Sequence, residues 1–73
     1  MEMDAKAIGA RLRALRGNKS AYEVAEAVGI SPSAVFMYEQ GERIPRDTVK
    51  IKLAQYFGSS VAFLFFNESA HQE

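Results

Sequence analysis

The chain has 73 residues, no cysteine, nine basic and nine acidic side chains, and a formal net charge of zero at pH 7. This length predicts one domain, and the absence of cysteine excludes disulfides and thiolate metal sites and favours a cytoplasmic setting. No apolar stretch approaches the ~20 residues that span a bilayer, and no signal peptide is visible, so no membrane partner is expected.

The charges are unevenly distributed along the chain. Residues 1–20 and 43–52 each carry a net charge of +3, whereas residues 21–42 carry −4 and residues 53–73 carry −2. Basic segments therefore flank an acidic one, although the balanced total is unlike the basic excess expected of a nucleic-acid binder.

The first predicted helix extends from Ala5 to Arg16. Its inward face is formed by Ile8, Leu12 and Leu15, which recur at helical spacing. Arg16 stands at the end of the helix, where a cation suits the helix dipole. The other basic side chains of this helix are expected in solvent: Lys6, Arg11 and Arg13.

A second helix is predicted to begin after Ser20. Ser20 and Glu23 have the spacing of a capping box, in which each side chain bonds the backbone N–H of the other residue. Gly29 ends the helix, because glycine adopts the left-handed conformation without a Cβ penalty. The apolar residues between them recur at helical spacing: Val24, Ala25 and Val28.

A third helix is predicted from Pro32 to Gly41. Ser31 is a good cap, and proline suits the first helical position because it lacks an N–H. The inward side chains are Val35, Tyr38 and the stem of Glu39; those opposite are Ser33, Met37 and Gln40, with Phe36 on the flank. Two helices joined by a short turn with a glycine form a helix-turn-helix, whose second helix enters the major groove of DNA.

Two further helices follow. The fourth is predicted to begin at Arg46 or Asp47 and to end at Gly58. Its inward residues are Val49, Leu53 and Phe57, while Lys50 and Lys52 are expected in solvent. Ser59 and Ser60 offer caps for a last short element at Val61–Phe66, whose six apolar residues fit either a helix or a strand. Residues 1–66 are taken as the domain and 67–73, with the sole histidine His71, as a polar tail.

These motifs resemble the Xre family, the small helical domains of phage Cro and lambda-type repressors and their bacterial relatives. The resemblance covers Ile8 to Phe66 and rests on the segments IGARLRALR, EVAEAVGIS, MYEQGERIP and LAQYFGSSVAFLFF. It implies an all-α fold of five short helices, the lambda repressor-like DNA-binding domain, and it favours a helix over a strand at Val61–Phe66. It also implies double-stranded DNA as the partner.

The resemblance assigns roles to individual residues. The positions that read bases in relatives correspond to Pro32, Ser33, Phe36 and Met37. Of these only Ser33 can form a hydrogen bond, whereas Phe36 and Met37 can contact thymine methyl groups. Alternatively, Phe36 and Met37 form an apolar patch for a protein partner or a dimer.

The expected contacts to DNA phosphates lie on both sides of this helix. They are Lys19, Ser20, Tyr22, Gln40, Arg43 and Arg46. Lys19 and Ser20 adjoin a helix amino terminus, which favours an anion, whereas Tyr22 could instead be an ordinary surface tyrosine. Many relatives have a phosphate- or base-contacting glutamine where this chain has Ala21, so that contact is missing.

Two further roles come from the family. Arg16 is expected to pair with Glu39 and so to tie the first helix to the recognition helix; the alternative is a solvated arginine. Phe63 and Phe66 are expected at a two-fold dimer contact, and the alternative is that they close the core.

The resulting hypothesis is a sequence-specific, phage- or prophage-like transcriptional regulator that binds an operator as a dimer. The alternative is a protein-interaction module on the same fold, an antirepressor or adaptor with weak or no DNA binding. No enzyme, cofactor or metal site is expected, because the chain has no glycine-rich phosphate loop and no spaced cluster of ligands.

Overall fold

The computed structural model describes residues 4–66, and within this range the chain forms five α-helices and no strand. The helices are α1 (Ala5–Arg16), α2 (Ala21–Val28), α3 (Pro32–Glu39), α4 (Asp47–Phe57) and α5 (Val61–Phe66). The predicted all-α class is confirmed, and the last apolar segment is a helix. The predicted tail, residues 67–73 with His71, lies outside the described residues.

Local capping explains where α1 and α2 begin and end. The Asp4 carboxylate accepts hydrogen bonds from the backbone N–H groups of Lys6 and Ala7 at the start of α1, at 3.1 and 3.2 Å. Ser20 Oγ accepts from the Glu23 N–H at 3.0 Å. Only this half of the predicted capping box is present, because no hydrogen bond of the described residues joins the Glu23 carboxylate to the Ser20 N–H.

The end of α3 lies slightly earlier than predicted. The helix ends at Glu39 with Gln40 as its cap, and Gly41 follows with a φ of +77°. The backbone N–H of Gly41 donates to the Tyr38 carbonyl at 3.2 Å. Gly41 therefore redirects the chain after the helix, in a conformation that costs glycine little.

A single apolar core joins all five helices. Its largest fully buried side chains are Phe65, Ile8, Leu64 and Val24. The apolar residues predicted to face inward on the first four helices belong to this core or pack against it, which confirms the periodicity argument. Burial of one such side chain stabilises the fold by roughly 1.5–3 kcal/mol.

The backbones of α1 and α3 are in direct contact at Gly9. A Cβ added at Gly9 would overlap the carbonyl oxygens of Tyr38 and Glu39 at the end of α3. Glycine at this position therefore lets α1 support the carboxyl-terminal turn of α3 at close range.

Two basic residues expected in solvent are not there. Lys50 is only 8% exposed, and its Nζ lies 3.4 Å from the Asp47 carboxylate and 6.0 and 5.7 Å from the ring centroids of Phe65 and Phe66. The expectation for Lys50 was wrong because its alkyl stem covers apolar surface while the ammonium keeps favourable partners. The half-buried Arg11 donates through Nε to the Leu64 carbonyl at 3.0 Å, which satisfies an acceptor near the end of α5.

Candidate nucleic-acid interface

The turn between α2 and α3 is held by its own backbone and by one serine. Gly29 has a φ of +83°, and the N–H groups of Gly29 and Ile30 both donate to the Ala25 carbonyl, at 2.8 and 3.0 Å. Ser31 Oγ accepts from the Ala34 N–H at 3.1 Å and caps α3. These bonds fix the direction in which α3 leaves the turn.

The side chains of α3 divide cleanly between core and surface. Ala34, Val35 and Tyr38 are buried. The predicted base-contacting residues lie on the other side, which we call the outward face of α3: Pro32, Ser33, Phe36 and Met37. Ser33 and Phe36 are exposed, and Pro32 and Met37 are half-buried. Phe36, which helical spacing placed on the flank, is 41% exposed and more accessible than Met37.

An ion pair anchors α3 to α1. Arg16 donates through Nε and Nη2 to the two carboxylate oxygens of Glu39, at 2.6 and 3.0 Å. The two side chains are 13% and 8% exposed. The hydrogen bond to Glu39 raises the pKa of the Arg16 guanidinium, and partial burial opposes that shift. The bidentate geometry fixes the orientation of both side chains.

The same guanidinium touches two other parts of the interface. Arg16 Nη1 donates to the Lys19 carbonyl at 3.0 Å, and the Arg16 Cζ lies 5.9 Å from the centroid of the Phe36 ring. Arg16 thereby connects the segment before α2, the end of α3 and the outward face of α3. Sequence reasoning missed the contact with Phe36, although Phe36 and Glu39 are three residues apart on one helix and therefore neighbours.

The six predicted phosphate contacts all lie in solvent. Three surround the start of α2 and three follow α3: Lys19, Ser20, Tyr22, Gln40, Arg43 and Arg46. Ala21, by contrast, is 3% exposed and belongs to the core. The position that carries a glutamine in many relatives therefore presents no side chain to a partner in this chain.

The acidic character of the central segment is reduced where α3 meets α1. Glu39 is paired with Arg16, whereas Glu23, Glu26 and Glu42 are exposed and have no ion-pair partner among the described residues. The exposed cations Lys19, Arg43 and Arg46 flank this segment in the chain. These three cations are therefore the exposed positive charges next to the acidic segment in the chain.

The outer surface of α5 is apolar. Leu64 and Phe65 are buried, whereas Phe63 and Phe66 are exposed, so Phe63 contributes little to closing the core. Ile44 and Ile51 are also exposed apolar residues.

Within residues 4–66 no helix is long and apolar enough to cross a membrane, and no group of three potential ligands could hold a metal ion.

A bihelical unit with an accessible second helix, supported by a third helix through an ion pair, defines a helix-turn-helix protein. The model of the helix-turn-helix family matches residues 10–64. The chain therefore belongs to this family, in its Xre or lambda repressor-like branch. No curated protein sequence matches the chain significantly.

Solved structures of this family resemble the chain over most of its length. The restriction-modification controller protein C.AhdI from Aeromonas hydrophila is 33% identical, with a TM-score of 0.76 over 85% of this chain and 97% of that one. The DNA-binding domain of BldD is 32% identical, with a TM-score of 0.69 over 85% and 93%. The P22 c2 repressor, in complex with a synthetic operator, is 24% identical, with a TM-score of 0.80 over 84% and 96%.

Proposed function

We propose that this protein is a DNA-binding transcriptional regulator whose α3 lies in the major groove of double-stranded DNA. The observation that carries the proposal is the position of Ser33 and Phe36, which are exposed on the second helix of a helix-turn-helix. The structures to which the chain is similar include a controller protein, a DNA-binding domain and a repressor bound to an operator. An accessible second helix is what this motif uses to reach base edges.

The flanking residues would hold the sugar-phosphate backbone. We assign phosphate contacts to Lys19, Ser20 and Tyr22 on one side and to Gln40, Arg43 and Arg46 on the other. In support, all six side chains are in solvent. Base contacts are assigned to Pro32, Ser33, Phe36 and Met37, with Arg16 and Glu39 as the ion pair that positions them.

The protein would bind as a homodimer to a pseudo-palindromic operator with half-sites about one helical turn apart. The exposed apolar side chains of Phe63 and Phe66 on α5 support a two-fold contact there. We place this regulator in the cytoplasm and in a phage- or prophage-like setting, following its resemblance to Cro and lambda-type repressors. Its family and structural neighbours are regulators, so we propose no catalytic activity.

Fluorescence anisotropy on labelled fragments of the promoter region of its own gene tests DNA binding, and a salt titration tests its mechanism. Three cationic phosphate contacts per subunit predict a slope of log affinity against log salt of about −5 for a dimer and about −3 for a monomer. The variant Arg43→Ala should make the dimer slope shallower by about 2, while Lys52→Ala, a cation on α4, should leave it unchanged. Absence of binding to every fragment at low salt would reject the proposal.

A second candidate function is a protein-interaction module, an antirepressor or adaptor. It is favoured by the apolar outward face of α3 and by the exposed carboxylates of Glu23, Glu26 and Glu42, which repel phosphate. Under this reading the purified protein binds a protein partner in a fixed ratio without nucleic acid, and Phe36→Glu abolishes that complex. Specific DNA binding by the partner-free protein would count against it.

A further inference from the structure

We propose that the outward face of α3 recognises the C5-methyl group of pyrimidines, so that it selects thymine and accepts 5-methylcytosine in the same place. The inference rests on the proposed function, since it concerns how α3 reads the major groove. Phe36 is the specificity-determining residue, and Arg16 is the residue that positions it. Phe36 supplies the apolar contact surface.

The first argument is the chemistry that α3 lacks. The helix consists of PSAVFMYE and contains no arginine, lysine, asparagine or glutamine. Bidentate hydrogen bonds to guanine or adenine, the usual means of reading a base pair, are therefore unavailable to its own side chains. Gln40 follows the end of the helix and is assigned above to phosphate. What remains on the outward face is one hydroxyl between apolar groups.

The second argument is that the Ser33 hydroxyl cannot distinguish cytosine from thymine by hydrogen bonding. A serine hydroxyl both donates and accepts, so Ser33 can accept from the N4 amino group of cytosine or donate to the O4 of thymine. It therefore separates these two bases poorly. The feature of the major groove that an apolar surface does separate is the methyl group on C5, which thymine has and cytosine lacks.

The third argument is that Phe36 lies beside an anchored neighbour, the Arg16 guanidinium. Its ring lies 5.9 Å from the Arg16 Cζ, and that guanidinium is held by two hydrogen bonds to Glu39 and one to the Lys19 carbonyl. The ring is nevertheless 41% exposed. An aromatic side chain that is already positioned loses little conformational entropy on binding. Most of the free energy gained by burying a methyl group against it therefore contributes to affinity.

Because 5-methylcytosine carries its methyl group on the same C5 atom, the same contact should accept it. Replacing a contacted T·A pair by C·G should weaken binding, and adding the 5-methyl group to that cytosine should restore most of the loss. Burial of one methyl group corresponds to about fourfold in affinity. A contact made once in each half-site gives about fifteenfold for the whole operator if the two effects add.

The experiment alters the DNA first, so that it does not depend on the folding of a variant. A random 30-base-pair duplex pool is enriched on the purified protein, and the enriched duplex is then synthesised with deoxyuridine in place of each thymine in turn. We expect about fourfold weaker binding, by fluorescence anisotropy, at one or more thymines in each half-site. At those positions, C·G should bind weakly and 5-methylcytosine·G should bind nearly as well as T·A.

Protein variants then assign the contact. In Phe36→Ala the difference between thymine and deoxyuridine should disappear, and in Arg16→Lys, which loses the bidentate pair, it should shrink. Ile51→Ala removes an exposed apolar side chain of α4 and should retain the full difference. Circular dichroism confirms that each variant is folded.

Two outcomes are clearly distinguishable. If the enriched duplex binds specifically and no deoxyuridine substitution changes its affinity by more than twofold, methyl recognition is wrong and the proposed function stands. If enrichment yields no duplex that binds better than random DNA, the proposed function fails, and this inference fails with it.

Discussion

Replacing Arg16 by alanine should destabilise the protein far more than the loss of an ordinary surface ion pair. The pair with Glu39 is bidentate, at 2.6 and 3.0 Å, and its side chains are 13% and 8% exposed. Exposed pairs contribute up to ~1 kcal/mol, whereas removing one partner of a fully buried pair costs roughly 3–5 kcal/mol. The Arg16–Glu39 pair is largely buried, so the energetic cost of Arg16→Ala should lie between these limits and nearer the second. The reason is that Glu39 would keep an uncompensated carboxylate beside the core.

We therefore expect Arg16→Ala to lower the free energy of unfolding by about 2–3 kcal/mol. For a domain of this size that corresponds to a fall in Tm of roughly 8–24 °C. A domain of this length has a total stability of roughly 4–11 kcal/mol, so the loss is a large fraction of the whole.

Urea denaturation followed by far-ultraviolet circular dichroism measures this loss. Arg13→Ala is the matched control. It removes an arginine from the same helix whose guanidinium, within residues 4–66, bonds only the nearby Gly17 carbonyl, at 3.3 Å, and it should lower the free energy of unfolding by less than ~0.5 kcal/mol. A double-mutant cycle with Glu39→Ala should give a coupling energy above ~1 kcal/mol. A loss below 1 kcal/mol for Arg16→Ala, or a coupling near zero, would refute the reasoning.

Three other predictions concern packing and assembly. Gly9→Ala should lower the free energy of unfolding in urea denaturation by about 2 kcal/mol or more despite the better helix propensity of alanine, because its Cβ meets the backbone of α3. Gly58→Ala should lower it less, because a Cβ there meets nothing within 4 Å and only the positive φ of +65° opposes alanine. Lys50→Ala should lower the free energy of unfolding by about 1–2 kcal/mol in urea denaturation, because Lys50 is buried. Lys52→Ala, which removes an exposed lysine of the same helix, should lower it by less than ~0.5 kcal/mol. Equal losses would contradict this. Phe63→Glu should convert a dimer to a monomer in sedimentation velocity while far-ultraviolet circular dichroism shows that it is still folded, and an unchanged mass would remove α5 from the interface.

The sequence predicted the helices well because local physics determines their ends. Capping starts α3 at Ser31 and Pro32. A left-handed backbone conformation ends α2 at Gly29 and α4 at Gly58. Helical spacing likewise identified the core, since an amphipathic helix has one way to bury its apolar side. The approximate bounds predicted for α1 and the segment predicted for α5 agree with those observed.

The failures concern contacts between helices, which local pattern does not encode. Lys50 and Arg11 have long stems and polar tips, so their sequence positions do not reveal whether a neighbouring helix covers them. The close approach at Gly9 depends on how α1 crosses α3, and a glycine inside a helix gives no sign of this beyond its poor propensity. The contact between Phe36 and Arg16 could likewise be seen only in the packed fold. The ion pair of Arg16 with Glu39, by contrast, was predicted from the family resemblance.

The measurement that tests the central proposal most directly is the effect of a single negative charge on the outward face of α3. Ser33→Glu places a carboxylate where the duplex would lie, and Gln55→Glu places the same charge on the exposed side of α4. Anisotropy on the enriched duplex should show at least a hundredfold loss of affinity for Ser33→Glu and less than threefold for Gln55→Glu, with both variants as helical as the parent protein. Equal losses in the two variants, or full affinity in Ser33→Glu, would contradict the assignment of α3 to the major groove.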